Sequence, residues 1–250
     1  MSNRSLLCIM IFFLLSFTNG GKKKITVWLA GDSTISIKET KAYPETGWGM
    51  PFVHFFDTTV SVKNIAKNGR STRTFIAEKL WESIEKNLQE GDYVFIQFGH
   101  NDESKEKVDR YTTPEEYKSN LLKFVNETRT KKANPVLLTP VSRRKFKDTL
   151  QIPTHEIYSA LVKEIAKEHN VPLIDLDAKS MSLYQQFGSE NSKLLFLQLK
   201  PGEHPNYPDG KNDNTHFNEL GARLIAQLVL SGIRELKLEL ADRIIIPKAK

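Results

Sequence analysis

Cysteine is nearly absent from this sequence, since Cys8 is the only one among 250 residues. A single thiol cannot form an internal disulfide, a cysteine-based zinc site or a redox-active pair, so these classes of chemistry are excluded. Histidine is also scarce, with six residues and no Asp-x-His or His-x-His pair. A two-metal phosphoesterase needs several such ligands at strand ends, so that class is disfavoured. We predict neither a metal ion nor a cofactor.

Long basic stretches are absent as well. Lysine and arginine number 36 against 30 acidic residues, a net charge of +6, but many of them alternate with acidic residues, as at Glu82 and Lys86. No basic run is interleaved with aromatic residues that could stack on bases, so we predict no nucleic-acid partner. The surplus of positive charge is compatible with an acidic polysaccharide or an anionic membrane surface.

The amino terminus has the layout of a secretory signal peptide. Arg4 precedes an apolar run at residues 6–17, and small or turn-forming residues follow. The run is too short to span a bilayer comfortably. Cys8 lies near the start of the run, which argues against a lipid-anchored lipoprotein. We predict a cleaved signal peptide at residues 1–20, a secreted or periplasmic protein with no stable membrane insertion, and a single domain at residues 21–250. A short uncleaved anchor is the alternative.

Short apolar segments alternate with longer amphipathic ones along the rest of the chain. The pattern predicts strands at residues 25–29, 60–65, 93–98, 136–139 and 173–176, and helices at 75–88, 114–131, 154–169 and 218–236. This alternation predicts an α/β fold, a three-layer sandwich with a five-stranded parallel sheet flanked by helices. In such a sheet the ligand site lies beyond the carboxyl ends of the strands.

Residues suited to catalysis follow three of the predicted strands. Ser33 follows the first strand in a Gly-Asp-Ser-Thr turn, which exposes a hydroxyl that could act as a nucleophile. Gly69 follows the second strand, and its N–H can approach a substrate oxygen closely. Asn101 follows the third strand, and its side-chain amide is suited to stabilising an oxyanion. Taken singly, the Gly-Asp-Ser turn is more typical of an ordinary helix cap, and the glycine is equally typical of an ordinary turn.

A fourth polar segment, Asp-Asn-Thr-His at residues 213–216, lies in a loop rich in proline and glycine before the last helix. An aspartate three residues before a histidine can bond to its Nδ1, so that Nε2 of His216 faces the serine as a base. Taken alone, such a pair is more typical of a solvated loop. Asp209 is a second candidate acid, which we rank below Asp213 because it lies farther upstream of His216.

Together the four segments indicate a catalytic site far more specifically than any one of them does. In this order the sequence resembles the SGNH (GDSL-type) hydrolase family, whose four blocks supply Ser, Gly, Asn and His. It is similar above all to the rhamnogalacturonan acetylesterase branch at residues 68–75, 97–102, 139–146 and 213–216, and the resemblance extends from about residue 25 to residue 236. One departure is Asn214, where the family commonly has glycine. Because asparagine tolerates left-handed backbone angles, we expect the loop to keep its shape.

The resemblance implies an SGNH-hydrolase, flavodoxin-like fold and ester hydrolysis by an activated serine, without a metal or cofactor. It implies that Ser33, Asp213 and His216 are the catalytic residues. It also implies that the oxyanion hole consists of the N–H groups of Ser33 and Gly69 and the amide of Asn101.

The implied partner is an acetylated polysaccharide or oligosaccharide, most specifically acetylated rhamnogalacturonan from pectin in the plant cell wall. Acetylated xylan or another glycan is the alternative. A metal-dependent phosphoesterase and a non-catalytic glycan-binding protein are weaker alternatives. Intact Ser33, Asp213 and His216 argue against the glycan-binding protein.

Substrate contacts are predicted from charge and aromatic character. Pectic backbones carry uronate carboxylates, which the guanidinium fork of arginine matches. The candidate substrate-binding residues are Trp48, Arg70, Arg73, His100, Arg143 and Arg144. A solvated surface run explains Arg143 and Arg144 equally well, a core position is favoured for Trp48, and His100 has no assigned role.

Overall fold

The fold is built around a central parallel sheet. The computed structural model describes residues 22–246. The signal-peptide prediction for residues 1–20 therefore lies outside the described residues. In chain order, the strands of residues 22–246 are β1 (Ile25–Gly31), β2 (Val60–Asn64), β3 (Tyr93–Gln97), β4 (Asn134–Leu138), β5 (Phe146–Lys147), β6 (Leu150–Gln151), β7 (Leu173–Ile174), β8 (Phe196–Leu199) and β9 (Lys211–Phe217).

Helices separate most of the strands along the chain. The α-helices of the same residues are α1 (Gly49–Phe52), α2 (Thr72–Ala77), α3 (Leu80–Glu85), α4 (Pro114–Thr130), α5 (Glu156–Glu168), α6 (Leu176–Asn191) and α7 (Glu219–Glu235). Within this part of the chain, none of them combines the length and the apolar character that crossing a bilayer would require.

The sheet has the strand order β2-β1-β3-β4-β7, and all neighbouring strands are parallel. Side chains of β1 alternate between its faces. Val27 and Leu29 pack in a hydrophobic cluster with α6 and α7, whereas Trp28 and Ala30 pack in a second cluster with α2 to α5. Helices thus cover both faces, which confirms the predicted three-layer α/β sandwich. The strand order is the flavodoxin-like one.

The predicted helix at residues 75–88 is wrong in its extent, because the segment forms the two helices α2 and α3. Helix α2 starts earlier than predicted, since the Ser71 side chain caps it by accepting a hydrogen bond from the Thr74 N–H. Lys79 then has a left-handed φ of 59°, which ends one helix before the other begins. Helix α4, by contrast, begins as predicted, with Thr113 as its cap and Pro114 in its first turn.

Helix α6 is missing from the sequence prediction, and the fifth strand is shorter than predicted. The Asp175 side chain caps α6 by accepting a hydrogen bond from the Ala178 N–H, so the chain turns helical where we predicted the end of a strand. Gly188, with a φ of 75°, interrupts the regular geometry inside α6. A helix with a glycine in its last turn and many polar residues has a weak sequence signature.

The segment that carries Asp213 and His216 is a strand rather than the predicted loop. Strand β9 pairs antiparallel with β8, and residues 200–210 connect the two. The carbonyl of Phe217 accepts a hydrogen bond from the N–H of Thr46 at 2.8 Å, which joins this hairpin to the segment that follows the first strand. Strand β9 escaped prediction because its residues are nearly all polar and show no apolar alternation.

Candidate active site

Ser33, His216 and Asp213 form a hydrogen-bonded chain at the carboxyl edge of the central sheet. Ser33 Oγ lies 2.9 Å from His216 Nε2, and His216 Nδ1 lies 2.8 Å from Asp213 Oδ2. The structure thus brings together a hydroxyl, an imidazole and a carboxylate in the order that general-base activation of a serine requires. Asp209, the second candidate acid, is exposed, and the imidazole bonds to Asp213.

The turn after β1 positions the Ser33 hydroxyl. Strand β1 ends at Gly31, and the carbonyl of Asp32 accepts a hydrogen bond from the N–H of Ser36 at 3.1 Å, which turns the chain sharply. Asp32 Oδ1 also accepts hydrogen bonds from the N–H and the hydroxyl of Thr34, at 2.9 and 2.7 Å. Asp32 and Thr34 are buried, so the partly exposed Ser33 is held at the surface between two anchored residues.

Strand β9 fixes Asp213 relative to His216. Asp213 Oδ1 accepts hydrogen bonds from the N–H groups of Thr215 and His216, at 2.7 and 2.9 Å, while Oδ2 faces the imidazole. Burial by itself raises the pKa of Asp213, but the hydrogen bond and charge of His216 and the two backbone N–H groups outweigh it and hold the pKa well below its usual range. Asp213 is therefore ionised at neutral pH and can stabilise positive charge on the imidazole.

Each of the three predicted oxyanion donors has an N–H available. Gly69 has a φ of 76°, a left-handed backbone angle that favours glycine, and a Cβ added to it would lie 2.9 Å from Arg110 Nη1. Neither the Ser33 N–H nor the Gly69 N–H donates a hydrogen bond to an acceptor within residues 22–246. Asn101 Nδ2 donates to the carbonyl of Arg70 at 3.0 Å, which orients the amide and leaves its second N–H for a ligand.

Buried side chains form a support beneath the Ser33 turn. His100 Nδ1 lies 3.2 Å from Asp32 Oδ2. Gln97 Nε2 donates to Thr34 Oγ1 at 2.8 Å, and Trp48 Nε1 donates to Gln97 Oε1 at 3.0 Å. Trp48 is fully buried and His100 is only 4% exposed. The prediction that these two residues contact substrate is therefore wrong, and the preference for a core position of Trp48 is confirmed.

The buried Asp32 and His100 pair has a defined charge state. Burial raises the pKa of Asp32, but the charge and hydrogen bond of His100 and the bonds from Thr34 lower it to about 2. Burial lowers the pKa of His100 to about 4, although the charge of Asp32 opposes this. At neutral pH the pair thus consists of a carboxylate and a neutral imidazole that donates from Nδ1. The pair therefore supports the Ser33 turn structurally and does not exchange a proton near neutral pH.

Lys38 joins both sides of the predicted oxyanion hole, and the sequence analysis missed it. Its Nζ donates to the carbonyl of Ser33 at 2.5 Å and to Asn68 Oδ1 at 2.7 Å, and it pairs with Glu45 at 2.7 Å. Burial lowers the pKa of Lys38, although the charge of Glu45 opposes this. No sequence signal marks a lysine as buried, because the carbonyl and carboxylate that satisfy it come from segments brought together only by the tertiary fold.

Arg143 lies beside the hydrogen-bonded chain. Its Nη1 donates to Thr215 Oγ1 at 2.7 Å, directly next to His216, and its Nη2 lies 3.6 Å from the carboxylate of Glu103. Arg143 and Glu103 also line a groove of about 560 Å³. The guanidinium is half-buried and faces both the site and the groove, and its contact with substrate stays a prediction.

The side chain of Arg144, in contrast, donates hydrogen bonds that stabilise β9. Its guanidinium donates to Ser192 Oγ and Asn214 Oδ1, at 2.9 and 2.8 Å, and to the carbonyl of Ser189. All its guanidinium nitrogens thus have protein acceptors, and its substrate contact stays a prediction. Asn214 lies in an extended strand without a left-handed φ, so its tolerance of such angles is not used there, and the expectation that the segment keeps the family's shape stays a prediction. Its side chain instead accepts hydrogen bonds from Arg144 and from Gln198, the latter at 3.1 Å.

Arg70 and Arg73 follow the Gly69 turn, and both donate hydrogen bonds to protein groups. Arg70 donates to the carboxylate of Glu78 from Nε and Nη2, at 3.0 and 2.8 Å, and to the carbonyl of Asn68 from Nη1 at 2.7 Å. Arg73 is exposed and donates to the carbonyl of Tyr111 at 3.2 Å. Substrate contacts from these two residues stay predictions. Among residues 22–246, no group of three or more His, Asp or Glu side chains is placed to hold a metal ion.

Comparison with known proteins identifies the family. Residues 29–224 match the GDSL-like Lipase/Acylhydrolase family. Rhamnogalacturonan acetylesterase RhgT of Bacillus subtilis is 44% identical over 230 residues, which cover 92% of this chain and 98% of RhgT. Probable rhamnogalacturonan acetylesterase YesY of the same organism is 36% identical over 220 residues, covering 88% and 97% of the two chains.

A solved structure agrees with these relatives. The crystal structure of protein YxiM from Bacillus subtilis superposes with a TM-score of 0.75 at 25% sequence identity, and the match covers 87% of this chain and 58% of that one. The resemblance drawn from the motifs around Ser33, Gly69, Asn101 and His216 is thus confirmed at the level of the family. The chain belongs to the GDSL-like lipase/acylhydrolase family.

Proposed function

We propose that the protein is a serine esterase that removes O-acetyl groups from a plant cell-wall polysaccharide, most specifically acetylated rhamnogalacturonan. The observation that carries the proposal is the contact of Ser33 Oγ with His216 Nε2 at 2.9 Å, backed by Asp213 at 2.8 Å. The identity of 44% to RhgT, over nearly the whole of both chains, supports the choice of acetyl ester and polysaccharide.

The residues allow the acylation step to be derived. As Ser33 Oγ attacks the acetyl carbonyl carbon, His216 Nε2 takes the hydroxyl proton, and the carbonyl electron pair moves onto oxygen. The N–H groups of Ser33 and Gly69 and the amide of Asn101 then donate hydrogen bonds to this oxyanion. Because these donors are held before substrate arrives, little reorganisation is needed as the charge develops.

Collapse of the tetrahedral intermediate completes acylation. The bond between the acetyl carbon and the sugar oxygen breaks, and His216 delivers its proton to that oxygen, so the sugar leaves as an alcohol. Water then attacks the acetyl-Ser33 ester while His216 takes its proton, and acetate leaves as Ser33 regains a proton. Asp213 keeps the imidazole in one orientation through both halves of the reaction.

The groove beside the site carries charged side chains of both signs. Arg143 borders both the catalytic chain and the adjoining groove, to which Lys105 and Lys145 also contribute. Glu103, Glu106 and Glu156 line the same groove, so it is mixed in charge and offers hydrogen bonds to sugar hydroxyls as well as cations for uronates. A neutral glycan would use only part of these groups.

The test compares acetate release from acetylated rhamnogalacturonan, acetylated homogalacturonan and acetylated xylan at matched acetyl content. We expect the highest kcat/KM on rhamnogalacturonan. The variant Ser33→Ala should release no acetate from any of them while keeping the wild-type melting temperature. Equal rates on all three polymers would remove the pectin-specific part of the proposal, and a faster rate on xylan would replace it with the xylan alternative.

Two weaker alternatives give different results in the same assay. A metal-dependent phosphoesterase would lose activity on chelation and resist a serine-directed organophosphorus reagent. A non-catalytic glycan-binding protein would retain polysaccharide without releasing acetate. We expect the reagent to inactivate the wild-type enzyme stoichiometrically at Ser33, which peptide mass spectrometry would detect.

We further propose that the protein acts outside the cytoplasm. The support is the charged start, short apolar run and small residues at positions 1–20 of the sequence. Expression of the full chain followed by fractionation and amino-terminal sequencing tests this. A product retained in the cytoplasm with Met1 intact would contradict it.

A further inference from the structure

Arg110, an arginine that the sequence analysis did not select, lies against the predicted oxyanion-hole glycine. A Cβ added to Gly69 would lie 2.9 Å from Arg110 Nη1 and 3.8 Å from its Cζ. The guanidinium therefore packs directly on the Gly69 backbone. Arg110 belongs to the connection between β3 and α4, which also carries Asn101. A cation is thus a neighbour of one of the groups predicted to bind the acetyl oxygen, the Gly69 N–H.

Hydrogen bonds around Arg110 hold its backbone in this position. The carbonyl of Arg110 accepts a hydrogen bond from the Thr112 hydroxyl at 3.3 Å, and the Thr112 N–H donates to the carbonyl of Asp102 at 3.0 Å. The Asp102 carboxylate in turn accepts from the N–H and hydroxyl of Thr72, at 2.9 and 2.6 Å. Thr72 is the first residue of helix α2, directly after the Gly69 turn. Its hydrogen bonds to Asp102 therefore connect the loop that carries Arg110 to this turn.

The guanidinium of Arg110 donates fewer hydrogen bonds to the protein than those of Arg70 and Arg144 do. Its ion pair is with the adjacent Asp109, through Nη2 at 3.3 Å, and the Asp109 side chain is 70% exposed. Nε is buried without a hydrogen-bond partner within the described residues. Arg70 and Arg144 spend all their guanidinium nitrogens on protein acceptors. A lone exposed pair of this kind holds an arginine only weakly.

We propose that Arg110 is a specificity-determining residue that binds the carboxylate of a uronate next to the acetyl group being removed. This inference rests on the proposed function and deepens it by naming the chemical group of the polymer that the site recognises. The side chain is 30% exposed, so its Nη atoms can form a paired contact with a carboxylate while the buried part stays fixed against Gly69. The carboxylate belongs either to the acetylated sugar or to the uronate beside it.

The experiment uses one substrate in two charge states. Acetylated rhamnogalacturonan oligosaccharides are compared with the same preparation after conversion of its carboxylates to neutral methyl esters, and kcat/KM for acetate release is measured on both. The variants are Arg110→Gln, Arg110→Lys and, as a matched loss of charge, Arg234→Gln, an exposed residue in the last turn of α7. Thermal unfolding of each variant checks its fold.

The quantity that tests the proposal is the ratio of kcat/KM on the acidic substrate to kcat/KM on its methyl ester, which measures the preference for the free carboxylate. We expect the wild-type enzyme and Arg234→Gln to prefer the acidic form, and Arg110→Gln to lose about tenfold or more of that preference, with Arg110→Lys in between. Equal losses on both forms in Arg110→Gln would overturn the proposal and make Arg110 a support of the Gly69 turn. A wild-type enzyme that cleaves both forms equally would also overturn it. Acetate release from neither form would instead refute the proposed function.

Discussion

At the scale of single residues, the proposed chemistry depends on which carboxylate orients His216. Asp213 contributes one oxygen to the imidazole and the other to two backbone N–H groups, so it holds the ring and the strand at once. An asparagine in its place keeps the shape but offers an amide that favours the wrong imidazole tautomer.

The first prediction concerns this carboxylate. We expect Asp213→Asn to lower kcat on 4-nitrophenyl acetate by about 10³- to 10⁴-fold, because His216 loses the tautomer that accepts the serine proton. The control is Asp209→Asn, which removes the exposed second candidate and should leave kcat within about twofold of wild type, as is usual for surface substitutions. If Asp209→Asn shows the large loss, the assignment of the acid is wrong.

A second prediction concerns Lys38, which we interpret as a positioning residue because it contacts Ser33 and Asn68 through backbone and amide oxygens. Lys38→Met leaves the partly buried Glu45 without its cation, at a cost of at most about 3 to 5 kcal/mol in the free energy of unfolding. We expect kcat to fall roughly ten- to a hundredfold with KM little changed, because Ser33 and Asn68, the residue before Gly69, lose their common anchor.

A double variant separates the two effects of Lys38. Lys38→Met/Glu45→Leu removes the unpaired charge, so urea unfolding should show that most of the lost stability returns. The value of kcat should stay low, because the anchor of Ser33 is still missing. Recovery of wild-type kcat in the double variant would make Lys38 a purely structural residue.

Residues in short motifs could be predicted from the sequence, whereas residues buried by the tertiary fold could not. Ser33 and His216 lie in segments whose order along the chain is informative, and the structure brings them together. Lys38 and Arg110 have no motif of their own, and their positions depend on the turn at Asn68 and Gly69. Charge patterns gave little guidance, because an arginine that binds the protein and one that binds a ligand are identical in sequence.

At the scale of elements, the position of His216 depends on a hairpin that shows little hydrophobic pattern. Strand β9 is held by pairing with β8, by the Arg144 and Asn214 contact and by the Thr46 bond to Phe217. The buried strands and long amphipathic helices could be predicted, because burial on a sheet leaves an apolar pattern. The polar hairpin and helix α6 could not, because tertiary contacts rather than periodicity stabilise them.

A third prediction belongs to the connection between the loop after β3 and the start of α2. Burial raises the pKa of Asp102 to about 7, although the hydrogen bonds from Thr72 oppose this. In the unfolded chain an aspartate ionises near pH 4, at about 3.9. Between roughly pH 4 and 7 the folded state therefore holds a proton that the unfolded state lacks, so this contribution to stability falls by about 1.4 kcal/mol per pH unit as the pH rises.

The variant Asp102→Asn removes this contribution. We expect the difference in the free energy of unfolding between wild type and Asp102→Asn to decrease steadily from pH 4 to pH 7 and then level off. Urea unfolding at a series of pH values measures it, with the exposed Asp209→Asn as the control that should show no such slope. Parallel curves for wild type and Asp102→Asn would mean that Asp102 is already ionised in the folded protein.

At the scale of the whole molecule, the parallel sheet collects distant segments at one edge. Parallel strands place all their carboxyl ends together, so the loops after β1, β2 and β3 bring Ser33, Gly69 and Asn101 to one side, and β9 adds His216 from beyond the sheet. The same edge gathers Arg110 and Arg143, contributed by loops far apart in the sequence. The fold thus places Arg110 against Gly69 and Arg143 against Thr215, next to His216, without any basic run in the chain.

The last prediction tests this electrostatic arrangement. Attraction between the positive protein and an acidic polymer is screened by salt, since the Debye length is about 10 Å at 0.1 M ionic strength and about 3 Å at 1 M. Raising sodium chloride from about 0.02 M to about 0.5 M should therefore lower kcat/KM on acetylated rhamnogalacturonan several-fold, mainly through KM. The methyl-esterified form of the same polymer is the control, and its kcat/KM should change much less. An equal change on both forms would trace the salt effect to the enzyme's stability or chemistry, and the net charge of +6 would then play no part in substrate capture.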